Sequence, residues 1–310
     1  MKILITGGTG FIGSHLVKKL LQQNNELVLL KHSFSDTWRI KSFLSKLKIY
    51  EIEKLKNFES VFKKNKINII IHFAAKYLKQ HPSIREIKEM NYSNITIPAQ
   101  LLDVATKFGV QGFINTGTFF EYDLKNTKSI NEKSKINPYN YYTATKLAFE
   151  QIFKYYCYSK KIKGITLKPF SPYGEKDNEK VIPLIIKSFI LDKKLDLTSG
   201  DQKLSFTYIS DVINAYIRAM NFIVRDNFNY ENFNIGSYQS HSVKEVVDII
   251  QKISFKKNKV EFGLINNPKD KSIDVRCDHT KAKRILSWEP KIDLKTGLKK
   301  TYDYYEKSLL

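Results

Sequence analysis

The feature that most constrains this chain is the alternation of short apolar strands with amphipathic helical stretches, running from its first residues onward. KILIT (2–6) reads as a strand, GGTGFIGSHLVKKLLQQ (7–23) opens a helix, and ELVLL (26–30) is a strand again. NIIIHFAA (68–75) is another strand, followed by a helical stretch within NYSNITIPAQLLDVATKFG (91–109). Then come the strand GFINTGTFF (112–120), the helix YYTATKLAFEQIFKYYCYSKK (141–161) and the strand GITLKPF (164–170). Strands that are apolar throughout must be covered on both faces, and a strand–helix–strand order supplies the covering helices between parallel strands. The expected class is α/β, with a doubly wound parallel sheet.

After about residue 171 the pattern loosens, and Pro172, Pro183, Pro268 and Pro290 punctuate shorter elements. This predicts a dinucleotide-binding domain over 1–170 and a smaller α/β C-terminal substrate-binding lobe over 171–310, with some segments returning to the first domain. No internal repeat breaks the reading. A chain of 310 residues is long enough for a real core at this organisation. No apolar run approaches the roughly 20 residues of a membrane span. The start MKILITGG enters a strand directly, without the apolar region of a signal peptide. Cys157 and Cys277 stand alone, with neither metal-ligand nor disulfide spacing. A cytoplasmic location, no membrane partner and no metal are expected.

The formal charge of +21 raises nucleic acid as a partner. The basic residues are nearly all Lys; Arg occurs only at 39, 85, 218, 225, 276 and 284, and the positive charge is spread along the chain. A nucleic-acid face needs clustering, so no nucleic-acid role is expected, and the charge is read as compositional.

Thr6-Gly7-Gly8-Thr9-Gly10-Phe11-Ile12-Gly13 joins the first strand to the first helix. Gly7, Gly10 and Gly13 have the spacing of a dinucleotide turn, in which glycines permit the tight bend, the approach of backbone N–H groups to a pyrophosphate and close helix–sheet packing. At the first strand–helix junction of an alternating chain, this predicts a Rossmann sheet that binds a dinucleotide.

Of the three tyrosines in NPYNYYTATK, only Tyr142 has a Lys four residues on, at Lys146. That spacing puts both on one helix face, where an ammonium favours phenolate and lowers the phenol pKa. Thr116 ends the strand before this helix, at the sheet edge where ligands of parallel sheets bind. Its hydroxyl is expected to bind the same substrate oxygen as Tyr142.

With TGGTGFIG, IHFAA (71–75), Asn91 in MNYSNIT, YYTATK, PFSPYG (169–174), FTYISDV (206–212), FNIGS (233–237) and ILSWEPKIDLKTGL in view, the chain resembles the extended short-chain dehydrogenases/reductases of the nucleotide-sugar epimerase/dehydratase/reductase group. The resemblance covers nearly all of the chain. It implies that Tyr142 is a general acid/base, that Lys146 lowers its pKa and holds the nicotinamide ribose, and that Thr116 fixes the substrate oxygen. It places Phe11, Ile12, Glu51, Ile52, Phe73, Ala74, Ala75, Asn91 and Pro169 beside the cofactor, Glu51 near the adenine amino group. It places Lys76, Thr118, Ser171, Lys203 and Arg276 beside a nucleotide-diphosphate sugar. The chain departs from the group at Leu204 and Asn267, where Arg commonly clamps the diphosphate, and at Ser171, where Asn is common. Lys203 or Arg276 would substitute, although an ammonium lacks the bidentate geometry of a guanidinium.

The second strand ends in Lys31, His32 and Ser33, where NAD-binding members of the group carry an acid for the ribose hydroxyls. A Lys and a hydroxyl there predict attraction to a 2′-phosphate, so NADP(H) is favoured over NAD(H). NADPH implies net reduction. Thr116 is followed by Gly117 and Thr118 rather than the Asp-Glu of 4,6-dehydratases, and Glu121 is read as a surface loop residue. NTGTF and LKPFSPYGEKD resemble most the 4-keto-6-deoxy nucleotide-sugar reductases similar to CDP-abequose synthase. The expected activity is therefore NADPH-dependent reduction of a C4 ketone, making a deoxysugar for O-antigen or capsule. The alternatives are an NAD-dependent nucleotide-sugar 4-epimerase and a non-catalytic dinucleotide-sensing protein. Aromatic residues spread around helix 142–160 predict a homodimer through it and through the helix near 101–108.

Overall fold

The computed structural model describes residues 1–78, 80–124, 129–177, 180–257, 259–265 and 273–310; Asn267 and Pro268 lie outside them. Seven strands form one sheet: β1 (Lys2–Thr6), β2 (Glu26–Lys31), β3 (Lys48–Glu51), β4 (Ile69–His72), β5 (Gly112–Thr116), β6 (Lys163–Pro169) and β7 (Tyr230–Ile235). Every pairing is parallel, and the order across the sheet is 7-6-5-4-1-2-3. The doubly wound parallel sheet is thus the observed fold. From β1 the order runs to β2 on one side and to β4 on the other, and a crevice opens outside the carboxyl ends at such a reversal. β3 went unread in the sequence because this edge strand, KIYE, is short and half polar.

The longer helices are α1 (Phe11–Gln22), α2 (Ile84–Asn91), α3 (Ile97–Lys107), α4 (Tyr141–Ser159), α5 (Val181–Ile190), α6 (Ile209–Arg225), α7 (Val243–Ser254) and α8 (Leu294–Leu309). Successive strand residues point to opposite layers. Ile3 and Ile5 pack with Leu16 and Val17 of α1 and with Val212, Tyr216 and Ile223 of α6. Leu4, Ile70 and Phe113 pack on the other face with Leu101 and Leu102 of α3 and with Phe149 and Phe153 of α4. Each such side chain contributes about 1.5–3 kcal/mol on burial, which is why an all-apolar strand needs helices on both sides. Past residue 171 the chain divides: α6 and β7 complete the sheet and its covering layer, while α5, α7 and α8 pack on one another.

Two local details position the site. β5 stops at Thr116 rather than running to Phe120, because Thr118 caps a single 3-10 turn over Phe119–Glu121. α4 starts where the Asn140 side chain accepts the Thr143 N–H at 3.0 Å and Thr143 Oγ1 accepts the Asn140 N–H at 3.0 Å. This reciprocal cap puts Tyr142 in the first turn and Lys146 one turn on.

Candidate active site

A cavity of about 460 Å³ opens at the reversal point between β1 and β4. Its wall includes Gly7 and Gly10 of the glycine turn, Lys31 and His32 at the tip of β2, Ile52, and Phe73, Ala74, Ala75 and Lys76 after β4. Gly7 has φ +68°, and a Cβ there would sit 2.6 Å from the Ala74 nitrogen; one on Gly13 would sit 2.3 Å from the Gly7 oxygen. Only hydrogen at these positions lets the turn approach β4 and the helix approach the turn. Phe11, Ile12 and Gly13 form the first turn of α1, which has no side-chain cap and no acidic residue. The positive end of the helix is thereby left for an anion. Cavity, glycine cradle and open helix end together fit a dinucleotide.

Ser93, Ile97 and Leu101 also reach the wall, as do Thr6, Thr9, Leu30, Phe34, Ser35 and Phe58. Ser93 escaped sequence reasoning because it lies in a π-helical turn, Tyr92–Thr96, whose wider winding changes which side chains face the cleft. Asn91 lies off the wall: its Oδ1 accepts the Tyr141 hydroxyl at 2.9 Å and so ties α2 to α4. Asn94 is the buried neighbour that acts near the cleft, bonding both the N–H (2.7 Å) and the carbonyl (2.9 Å) of Lys76.

The tip of β2 differs from expectation. Lys31 Nζ donates to the carbonyls of His32 (2.9 Å) and Ser33 (3.2 Å) and lies 3.4 Å from the Glu51 carboxylate. Glu51 also holds Lys54 at 2.6 Å, and these two ammonium groups, Lys54 foremost, keep it below the usual carboxylate range. Glu53 pairs with the His32 ring at 2.5 Å and accepts the Ser33 N–H at 2.9 Å. The lysine that was to attract a 2′-phosphate is therefore folded back onto its own loop, with two carboxylates beside it. Phe34 stacks on His32 at 4.9 Å.

Lys146 is buried, and Tyr142 beside it meets the ring of Tyr77 edge-on at 4.9 Å. Burial pushes the Tyr142 phenol above its ordinary range, with Glu121 and Tyr77 acting in the same direction. Burial also pushes Lys146 down to about 8, while Glu121 and Glu150 pull it back up. Lys146 is not among the groups acting on the phenol, which burial, Glu121 and Tyr77 all push upward. Glu121, read as a surface residue, is fully buried and sits 2.9 Å from Lys168 Nζ.

Thr116 has a partner that the sequence did not reveal. Its hydroxyl lies 2.8 Å from that of the wholly buried Tyr216, whose ring packs 4.7 Å from Phe73. Among the described residues no hydrogen bond joins Thr116 to Tyr142 or Lys146. Thr118, just past the strand, accepts the Phe120 N–H at 3.3 Å and keeps its own proton to donate.

The residues expected around a diphosphate sugar are scattered in their engagements. Lys76 is ion-paired with Glu89, which Arg85 also holds at 2.9 Å. Ser171 takes a left-handed φ of +32° at the end of β6, just past the buried Pro169. Lys203 is exposed in a two-residue strand against His241 and Ser242, and Arg276 is turned to Asp274 at 3.4 Å. Leu204 packs on the apolar cluster that contains Phe119, Phe120 and Phe170. No guanidinium is preformed here as a diphosphate clamp among the described residues.

Residues 3–236 match the NAD dependent epimerase/dehydratase family. The chain belongs to that family. Among curated family relatives, CDP-abequose synthase of Salmonella muenchen is 28% identical over 306 residues, covering 96% of each chain. Two solved structures are similar over 100% of both chains. The UDP-glucose 4-epimerase of Thermotoga maritima with UDP-glucose has TM-score 0.87 and 26% identity. The UDP-glucuronic acid 4-epimerase of Bacillus cereus with UDP-glucuronic acid and NAD also has TM-score 0.87 and 26% identity. These comparisons correct the cofactor and with it the activity. The expectation of NADP(H), and of an NADP-dependent ketoreductase built on it, is overturned by structural relatives that hold NAD. The physical reason lies at the tip of β2, where the Lys31 ammonium is engaged by the carbonyls of His32 and Ser33 and by Glu51 and so is not left free for a 2′-phosphate. Among the described residues no helix is long and apolar enough to cross a membrane.

Proposed function

We propose that this chain is an NAD-dependent nucleotide-sugar 4-epimerase. The observation that carries the reading is the placement of Tyr142 and buried Lys146 at the start of α4, in a chain whose dinucleotide cavity is walled by the glycine turn and the tip of β2. Similarity to 4-epimerases solved with NAD supports the same reading. Tyr142 takes the proton of the sugar C4 hydroxyl and later returns it, and Lys146 holds positive charge beside the phenolate that forms. Thr116 being committed to Tyr216, the Thr118 hydroxyl binds the sugar oxygen. Gly7, Gly10 and Gly13 admit the pyrophosphate to the end of α1. NAD, when bound, supplies a hydride acceptor at C4 and then a hydride donor to the opposite face, so the reaction has no net redox change.

The test is to incubate the protein, as purified and with NAD added, with UDP-glucose, UDP-N-acetylglucosamine and UDP-glucuronic acid in turn, following products by NMR. Conversion of one of them to an equilibrium mixture of C4 epimers, with no stoichiometric change in nicotinamide absorbance, is expected. A product formed only as nicotinamide is consumed would overturn the reading.

A further inference from the structure

Behind Tyr142 and Lys146 lies a set of ionisable groups that the proposed epimerisation leaves unused. Glu121, Glu150 and Lys168 are each at most 2% exposed. Glu121 Oε2 lies 2.9 Å from Lys168 Nζ, and Glu121 Oε1 accepts the Thr118 N–H at 3.3 Å. Lys168 also reaches Glu150 at 3.3 Å, and Glu150 stands one helical turn beyond Lys146 on α4. Glu150 in turn takes the Tyr230 hydroxyl at 2.8 Å and the Lys154 ammonium at 3.4 Å. The Lys168 stem has room beside the turn because residue 117 is glycine: a Cβ there would stand 2.9 Å from both Lys168 Cγ and Thr166 Cγ2.

Sealing such charges from water is costly, and apolar side chains of the same volume hold a fold as well or better. Stability alone therefore does not account for the cluster. Charge does: Lys146 and Lys168 depend on Glu121 and Glu150, Lys154 also draws on Glu150, and removal of Glu121 leaves an ammonium group unbalanced. The groups facing Lys146 are Glu121, Glu150 and the ring of His72, which is buried against Thr6 and held neutral by desolvation. Those facing Tyr142 are Glu121, Tyr77 and Tyr216. Those facing Glu121 are Lys168, Glu150, Lys146, Tyr122, Tyr142 and Tyr230.

We propose that Glu121 is a positioning residue for the Tyr142–Lys146 pair: its buried carboxylate is the counter-charge that sets where the pair titrates, while its bond to the Thr118 N–H fixes the neighbouring hydroxyl. The inference rests on the reading of Tyr142 as the acid/base. A carboxylate at this place stabilises the Lys146 ammonium and disfavours the Tyr142 phenolate. With an uncharged amide instead, both groups lose their protons at lower pH. Lys168 supplies the ion pair that holds the carboxylate in place.

The test uses the NAD-loaded protein and needs no substrate. Phenolate formation is followed by ultraviolet difference absorbance in wild type, Tyr142→Phe, Glu121→Gln and the double variant, so that subtraction isolates the Tyr142 transition. Glu121→Gln is expected to move that transition down by about one pH unit or more, while a purely structural role would lower the melting temperature without moving it. Should Glu121→Gln fail to fold, the pair Glu121→Leu with Lys168→Met replaces both charges by apolar groups, and the same downward shift is expected. An unchanged or raised transition, or none for Tyr142 in the tyrosine range, overturns the proposal. Failure of the epimerase reading is seen separately, as undiminished turnover by Tyr142→Phe or as no epimer formed by wild type.

Discussion

The hydroxyls of Thr116 and Tyr216 lie 2.8 Å apart, Tyr216 being wholly buried on α6. The bond ties the half-buried end of β5 to α6 and so serves the fold. Thr116→Val leaves the Tyr216 hydroxyl unpaired and should destabilise the protein by about 1–3 kcal/mol, with turnover of the native fraction little changed. Thr118→Val should lose about 10²-fold in rate and, because its hydroxyl also caps the turn over Phe119–Glu121, about 0.5–2 kcal/mol of stability. Denaturant melts and initial rates of the two variants separate the roles, and equal rate losses would contradict this division.

Tyr142 and Tyr141 are adjacent in sequence and different in task. Tyr142→Phe should leave melting temperature and NAD binding unchanged and reduce the rate by roughly 10²–10⁴-fold. Tyr141→Phe deletes the 2.9 Å bond to Asn91 and should cost about 1 kcal/mol of stability, with a near-normal rate. Steady-state kinetics on both variants check the assignment.

The pH dependence follows from Lys146, which burial pushes down to about 8. Its ammonium is present below that pH and lost above it, so the rate should fall on the alkaline side with a midpoint near pH 8. For stability the sign is opposite. The unfolded chain keeps this proton up to a lysine's ordinary value, about 10.4. Between the two values it therefore binds more protons than the folded chain does, and this residue's contribution to stability rises with pH. A rate profile and a series of melts over the same range test both signs, and Lys146→Met should flatten each trend.

What the sequence made legible was local. The order of β1, α1 and β2, the glycine turn, and Tyr142 and Lys146 one turn apart all depend on spacing within one or two elements. What stayed hidden depends on partners far along the chain. Thr116 is engaged by a residue of α6, and Glu121 is drawn inside by Lys168 on β6. The tip of β2 was misread because its acids come from residues 51 and 53, at and beyond the end of the neighbouring strand. Ser93 reaches the cleft from a π-helical turn that a helix-period reading does not anticipate, and Asn91 just before it holds Tyr141.

α4 is aromatic on two sides, and one chain covers only one of them. Phe149 and Phe153 are buried against the sheet, whereas Tyr155 and Tyr158 are 61% and 63% exposed, with Phe108 at the end of α3 partly exposed. A second copy laid along α3 and α4 would cover this face, and we predict a homodimer. Light scattering at micromolar concentration should give twice the chain mass, and Tyr155→Lys with Tyr158→Lys should halve it. A monomeric wild type would leave these tyrosines as solvated surface.

The tip of β2 makes the sharpest prediction about the cofactor. Lys31 spends its ammonium on two loop carbonyls and Glu51, and Glu53 is held on the same loop by His32 and the Ser33 N–H. A 2′-phosphate brought here meets a neutralised lysine and two carboxylates, whereas ribose hydroxyls donate to those same carboxylates. NAD should therefore bind more tightly than NADP. The difference should be about that of one charge-assisted contact, roughly 1.5–3 kcal/mol, or about one to two powers of ten in Kd. Glu53→Gln removes one negative charge and frees His32, so it should narrow the gap chiefly by tightening NADP. The site is partly exposed, so added salt should also narrow the gap by screening the repulsion. Calorimetric titration of wild type and Glu53→Gln with both cofactors, at low and high salt, decides the matter. NADP binding as tight as NAD in wild type would mean that the carboxylates swing away when the ligand arrives and that Lys31 is released to meet the phosphate.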